Sequence, residues 1–235
     1  MLKKITLALL FAIPSLSLAM DLDGFYITLK GGISKSMDTG VIYGADNIDK
    51  LSIKDSDLGT GHVFGLSIGK YITSNFRLEL EASQRGGLKY DSEYSTNSSL
   101  KSKADIDTKS IFINGFYDFE SFDISSSSVT PYLGGGLGIS RNDMGTVTDS
   151  TGLFTQTTDG KKVSQFAYKL ALGTLVSLSE KLSVDINYQY VDLGKFKSGV
   201  NFVNSGGGSG ALIEPFNGGD IKIQELMVGL QYTFK

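Results

Sequence analysis

Apolar and polar residues alternate with a period of two through most of this chain, in segments of about ten residues. The cleanest segment sets Phe76, Leu78, Leu80 and Ala82 on one face and Arg77, Glu79, Glu81, Ser83 and Arg85 on the other. The last, from Glu225, sets Leu226, Val228, Leu230, Tyr232 and Phe234 against Glu225, Gly229, Gln231 and Thr233. Six more segments share the period. Phe25, Ile27 and Leu29 alternate with Tyr26, Thr28 and Lys30, and Phe64, Leu66 and Ile68 with Gly65, Ser67 and Gly69. A fourth, about 106–119, puts Ile111, Ile113 and Tyr117 on the apolar side because Asn114 belongs opposite, although Phe112 and Phe116 accompany that asparagine. A fifth covers about 131–140. The sixth carries Phe166, Tyr168, Leu170, Leu172, Thr174 and Val176, and the seventh Leu182, Val184, Ile186, Tyr188 and Tyr190.

The spacers alternate in length. Long polar stretches at about 34–60, 86–105, 141–163 and 193–220 are interleaved with short ones at 72–75, 125–128 and 179–181. Eight strands joined this way predict an all-β, antiparallel up-and-down barrel with four long loops at one end and three turns at the other. Strands of about ten residues, rising about 3.3 Å per residue and tilted near 45°, span roughly 23 Å, close to the apolar band of a transmembrane barrel.

Alternation does not say which face is outside. A secreted lipocalin-like barrel would expose the charges and bury the apolar residues. In a membrane the charges must face the lumen, because a basic side chain toward lipid costs about 2 to 4 kcal/mol at the midplane. The alternating spacers and the aromatics Tyr188, Tyr190, Tyr232 and Phe234, placed for the lipid-water interface, favour the membrane. The expected lumen cluster is Arg77, Glu79, Glu81, Arg85, Lys169, Asp185 and Glu225, with Lys30 on the same face. The terminal apolar face, Leu226, Val228, Leu230, Tyr232 and Phe234, is the expected membrane-insertion signal.

The N-terminus fits secretion. Lys3 and Lys4 precede an apolar stretch from Ile5 to Leu18 that contains Pro14, and Ser17-Leu18-Ala19 supplies small residues for cleavage after Ala19. Residues 1–19 therefore read as a signal peptide and 20–235 as the barrel, since the stretch falls short of the roughly 20 residues of a helical span. The chain has no Cys, so it forms no disulfide, lipoprotein anchor or thiolate metal site. Removing Lys3 and Lys4 leaves 20 of the 22 basic residues against 25 acidic ones, a net charge of about −5, so nucleic acid is a poor partner.

Chemistry is sparse. His62, the only histidine, falls near the outer end of the second strand, where a rim base could sit beside loop carboxylates. Gly134-Gly135-Gly136 lies within an alternating strand without the Lys and helix of a phosphate loop. Asp46, Asp49, Asp55 and Asp57 lack calcium-loop spacing. No catalytic, cofactor or metal residue is assigned.

Three stretches resemble recurring strands of opacity-type eight-stranded outer-membrane proteins: Pro131-Tyr132-Leu133-Gly134-Gly135-Gly136-Leu137-Gly138, Phe166-Ala167-Tyr168-Lys169-Leu170 and Leu182 through Gly194. The resemblance extends to surface antigens of obligate intracellular bacteria. It departs at Lys235, since family members usually end on Phe. The resemblance implies a Gram-negative outer membrane, surface-exposed loops, and contact with outer-membrane lipid and with a host or envelope partner. The expected function is a non-enzymatic surface protein for adhesion or envelope interaction. A small-conductance porin is the alternative, and a rim lipid-modifying enzyme or protease comes third.

Overall fold

The computed structural model describes residues 22–39, 57–94, 97–125, 127–151 and 153–234. It is all-β, with no helix among the described residues. The eight long strands are β1 (Phe25–Ser36), β2 (Thr60–Tyr71), β3 (Phe76–Tyr94), β4 (Asn97–Asp118), β5 (Ser127–Met144), β6 (Lys161–Ser177), β7 (Leu182–Lys197) and β8 (Asn217–Thr233). Each pairs antiparallel with the next, and β1 pairs with β8 from Tyr26↔Thr233 to Ser36↔Ile223. Closure satisfies the backbone of every barrel strand, as a bilayer requires.

The facing is that of a membrane barrel. Leu66, Ile113 and Leu170 are about 58–66% exposed, whereas Arg77, Glu81 and Arg85 are at most 1% exposed. On β4, Ile111, Ile113 and Tyr117 point outward and Phe112, Asn114 and Phe116 inward. The inward glycines of β5 explain how two aromatics fit. A Cβ on Gly134 or Gly138 would strike Phe116 or Phe112, and one on Gly136 would strike Asn114, so the small residues of one strand make room for the large ones beside it.

The expected loops are shorter than the polar stretches. β3 and β4 run almost to their joining turn, so most of 86–105 is ladder. Within 141–163, β5 continues to Met144 and a hairpin follows, Val147–Ser150 with Thr155–Thr158. Within 193–220, β7 continues to Lys197, and Asn201–Asn204 pairs with Ser209–Ala211. At the turn end Phe122–Ile124 pairs with the start of β5, which begins at Ser127. Beyond the lipid the outer face of a strand meets water, so Lys101, Lys103 and Asp105 can alternate with buried Ser102, Ala104 and Ile106. Apolar alternation fades there while the ladder persists. Residues 1–19, read above as a signal peptide, together with Asp46, Asp49, Asp55 and Lys235 lie outside the described residues, as do positions 40–56.

Candidate functional site

The lumen is built in three layers. At the turn end, the Arg77 guanidinium lies between the rings of Phe116 and Tyr132, 4.4 and 4.5 Å from their centroids. Its Nε donates to both oxygens of Asp118, at 3.0 and 3.2 Å. Its Nη1 donates to the Tyr26 hydroxyl at 3.3 Å. The Tyr132 hydroxyl in turn donates to Asp185 at 2.6 Å, and Asn187 donates to the other oxygen of Asp185 at 3.3 Å.

The middle layer is ionic. Lys30 Nζ reaches Glu79 at 3.2 Å and Glu81 at 2.7 Å, Lys169 reaches Glu81 at 2.6 Å, and Asn114 donates to Glu79 at 3.1 Å. Above it, Arg85 grips Glu225 bidentately, Nε to Oε1 at 2.7 Å and Nη2 to Oε2 at 3.0 Å. Ser34 and Gln189 also donate to Glu225, each at 2.5 Å. Charges this deep persist only when paired and hydrogen-bonded. All seven residues of the expected cluster are inward, in three groups: Arg77 and Asp185 meet through Tyr132; Glu79, Glu81 and Lys169 meet through Lys30; and Arg85 meets Glu225 directly. Asp118 completes the Arg77 pair and was readable from sequence, since it shares the parity of Asn114.

The loop-end layer is apolar. Leu88, Tyr90, Ile106, Met144, Leu193, Phe196, Ile221 and Ile223 belong to one buried cluster that reaches down to Phe112 and Ala167. Two bulges complete it. The β3–β4 register shifts between Arg85 and Leu88, where Gly87 has φ +80°, so the inward parity changes from Arg85 to Leu88. The β7–β8 register shifts between Asp192 and Lys195 around Gly194, φ +67°. A side chain at either position would be strained. The bulges turn Leu88, Tyr90 and Phe196 inward over the ionic layer, where they join Ile106, Met144, Leu193, Ile221 and Ile223, which follow the unbroken alternation of their strands.

Above the cap the loops join. Val147–Ser150 pairs with β4 at Lys101–Lys103, Thr155–Thr158 pairs with Val147–Ser150, Asn201–Asn204 pairs with Thr155–Thr158, and Ser209–Ala211 pairs with Asn201–Val203. Two connections, β5–β6 and β7–β8, thus form one crest sheet anchored on β4. Its tips expose apolar residues: Leu153 is fully exposed and Ile213 is 86% exposed. His62 lies at the loop end of β2, as expected. It points outward, its ring 5.7 Å from that of Phe64 on the apolar face. Among the described residues no three His, Cys, Asp or Glu side chains gather as a metal site.

At the C-terminus Leu226, Val228, Leu230 and Tyr232 point outward, and Phe234 stands edge-on to Tyr232 with centroids 5.2 Å apart. The Phe234 amide donates to the Phe25 carbonyl at 2.8 Å, which ties the end of β8 to the start of β1 at the turn end.

Comparison with known proteins agrees with this geometry. The family model described as outer membrane protein beta-barrel domain matches residues 5–234. The candidate adhesin RC1281 of Rickettsia conorii is 29% identical over 221 residues, covering 88% of this chain and 81% of its own. The outer membrane protein PagN of Salmonella typhimurium is 24% identical, covering 76% and 78%. Among solved structures, Neisserial surface protein A superposes with a TM-score of 0.55 at 17% identity, covering 90% of this chain and 98% of its own. With apolar residues outward, charges sealed inward and a family match over nearly its whole length, the chain belongs to the outer membrane protein beta-barrel domain family and is an integral protein of the outer membrane.

Proposed function

We propose that this chain is a non-enzymatic surface protein whose loop end faces out of the cell and adheres to a host or envelope partner. The observation that supports it most directly is the crest, in which two connections are joined by backbone ladders into one sheet on β4. Binding sites commonly sit on loops held by a rigid scaffold, and pre-ordering them lowers the entropy lost on binding. Exposed Leu153, Phe154 and Ile213 at the crest are suited to a partner's apolar pocket. The names of the Rickettsia relatives point the same way.

The porin alternative is weakened by the lumen, whose ionic layer and apolar cap fill the space that eight strands enclose. The rim-enzyme alternative is weakened by the outward His62.

The test is attachment to cultured host cells by Escherichia coli displaying the full chain. The parent is expected to raise attachment well above empty-vector cells. Replacing Leu153, Phe154 and Ile213 together by Ser is expected to cut that gain at least about tenfold. Equal attachment of parent and empty-vector cells would end the adhesin reading.

A further inference from the structure

The outer wall of the barrel carries a row of donors at the border of its apolar belt. Ala82, Ile111, Ile139 and Phe166 are register partners in sequence across β3, β4, β5 and β6, and all four point outward. Two residues toward the loop end lies the next outward row: Gln84↔Lys109, Lys109↔Arg141 and Arg141↔Ser164. All four of its members are exposed. It holds two cations, an amide and a hydroxyl, and no carboxylate.

Like charges directly opposite in a sheet repel. Lys109 and Arg141 nevertheless face each other, with Cβ atoms about 4.5–5.5 Å apart by ladder geometry, and neither forms an ion pair among the described residues. In the row above, Asp107 opposes Asp143, but Asp143 is taken by Lys162 at 2.6 Å. Strands about 4.8 Å apart spread the four donors over roughly 14 Å. At about 3.3 Å per residue and a tilt near 45°, the row stands about 5 Å beyond the last apolar side chains, at headgroup depth.

We propose that Lys109 and Arg141, flanked by Gln84 and Ser164, bind the phosphate of an outer-leaflet glycolipid whose acyl chains lie against Ile111, Ile139 and Phe166. A phosphate between the two cations turns their repulsion into two charge-assisted contacts, one of them bidentate in the manner of Arg. The row continues the lipid interface of the belt, so the ligand reaches it from within the membrane. The choice of leaflet rests on the loop-outward orientation proposed above. Micelles have no sides, so binding in them tests the row independently of that orientation.

The experiment uses the full protein purified from membranes, stripped of lipid in a neutral maltoside detergent and titrated with diphosphoryl lipid A. Retained lipid is counted by native mass spectrometry. The double variant K109Q/R141Q is expected to bind at least about tenfold more weakly than the parent. K89Q/K103Q, which also removes two exposed cations but higher on the wall, is expected to bind as the parent does. Heat-modifiable gel migration confirms that each variant is folded. If the double variant is not, K109Q and R141Q singly are each expected to bind more weakly than the parent, whereas K109R, which keeps the charge, binds as the parent does. Equal binding by both single variants and the parent overturns the proposal. Equal binding by parent and K109Q/R141Q overturns the proposal, as does an equal loss in K89Q/K103Q, which would mean diffuse attraction only. Undiminished binding of dephosphorylated lipid A, or full displacement of the lipid by inorganic phosphate, would also overturn it: the first removes the phosphate, the second the lipid.

Discussion

At the residue scale the lumen shows what a buried charge requires. Arg85 and Glu225 are both fully enclosed, and each satisfies the other's two hydrogen-bonding edges. Their mutual attraction and their desolvation nearly cancel, so the pair adds little net stability, yet breaking it strands one charge. Arg85→Leu should therefore destabilise the barrel by about 3 to 5 kcal/mol. The double variant R85L/E225L should recover most of that loss. Urea unfolding in lipid vesicles, followed by circular dichroism, measures both. A single variant as stable as the parent would show that water reaches Glu225.

At the element scale, register decides what each strand can do. One extra residue at Gly87, and another irregularity beside Gly194, change the parity of β3 and β7 and bring Leu88, Tyr90 and Phe196 into an apolar cap. The crest hairpin Val147–Ser150 with Thr155–Thr158 carries its own titratable group. Burial raises the Asp149 carboxyl above the ordinary Asp range, opposed by the hydroxyl of Ser102, which donates to it. The folded hairpin holds this proton to higher pH than the unfolded chain does, so stability is greatest below the ordinary Asp range and falls as pH rises through the raised value. Amide protection factors over 147–158 should be higher near pH 4 than near pH 7, and D149N should remove the difference. A parent hairpin equally protected at both pH values would refute this.

At the scale of the whole molecule, a membrane barrel inverts a soluble one and must fill its axis with whatever its strands send inward. Here four cations, Lys30, Arg77, Arg85 and Lys169, and five carboxylates, Glu79, Glu81, Asp118, Asp185 and Glu225, fill it beneath the apolar cap. Planar-bilayer recording of the purified protein should show no stable steps above about a few hundred picosiemens, the scale set by an eight-stranded interior packed with side chains. Steady conductance above that level would mean that the cap opens.

The period of two, the alternating spacers and the parity of Arg77, Glu79, Glu81, Arg85, Lys169, Asp185 and Glu225 were enough to determine the strand number, the barrel and the members of its charged interior, because lipid penalises every charge left outside. The facing of β4 was also legible, since Asn114 outweighed two phenylalanines that the glycines of β5 later accommodate. Tertiary structure decided the rest. Which lysine meets which glutamate depends on closure, since Arg85 and Glu225 stand 140 residues apart in the chain. Leu88, Tyr90 and Phe196 join the cap through two bulges that shift parity without disturbing composition. The crest depends on ladders between segments that read as polar loops, because outside the bilayer water accepts charged residues on a strand's outer face and erases the apolar signal by which strands are recognised.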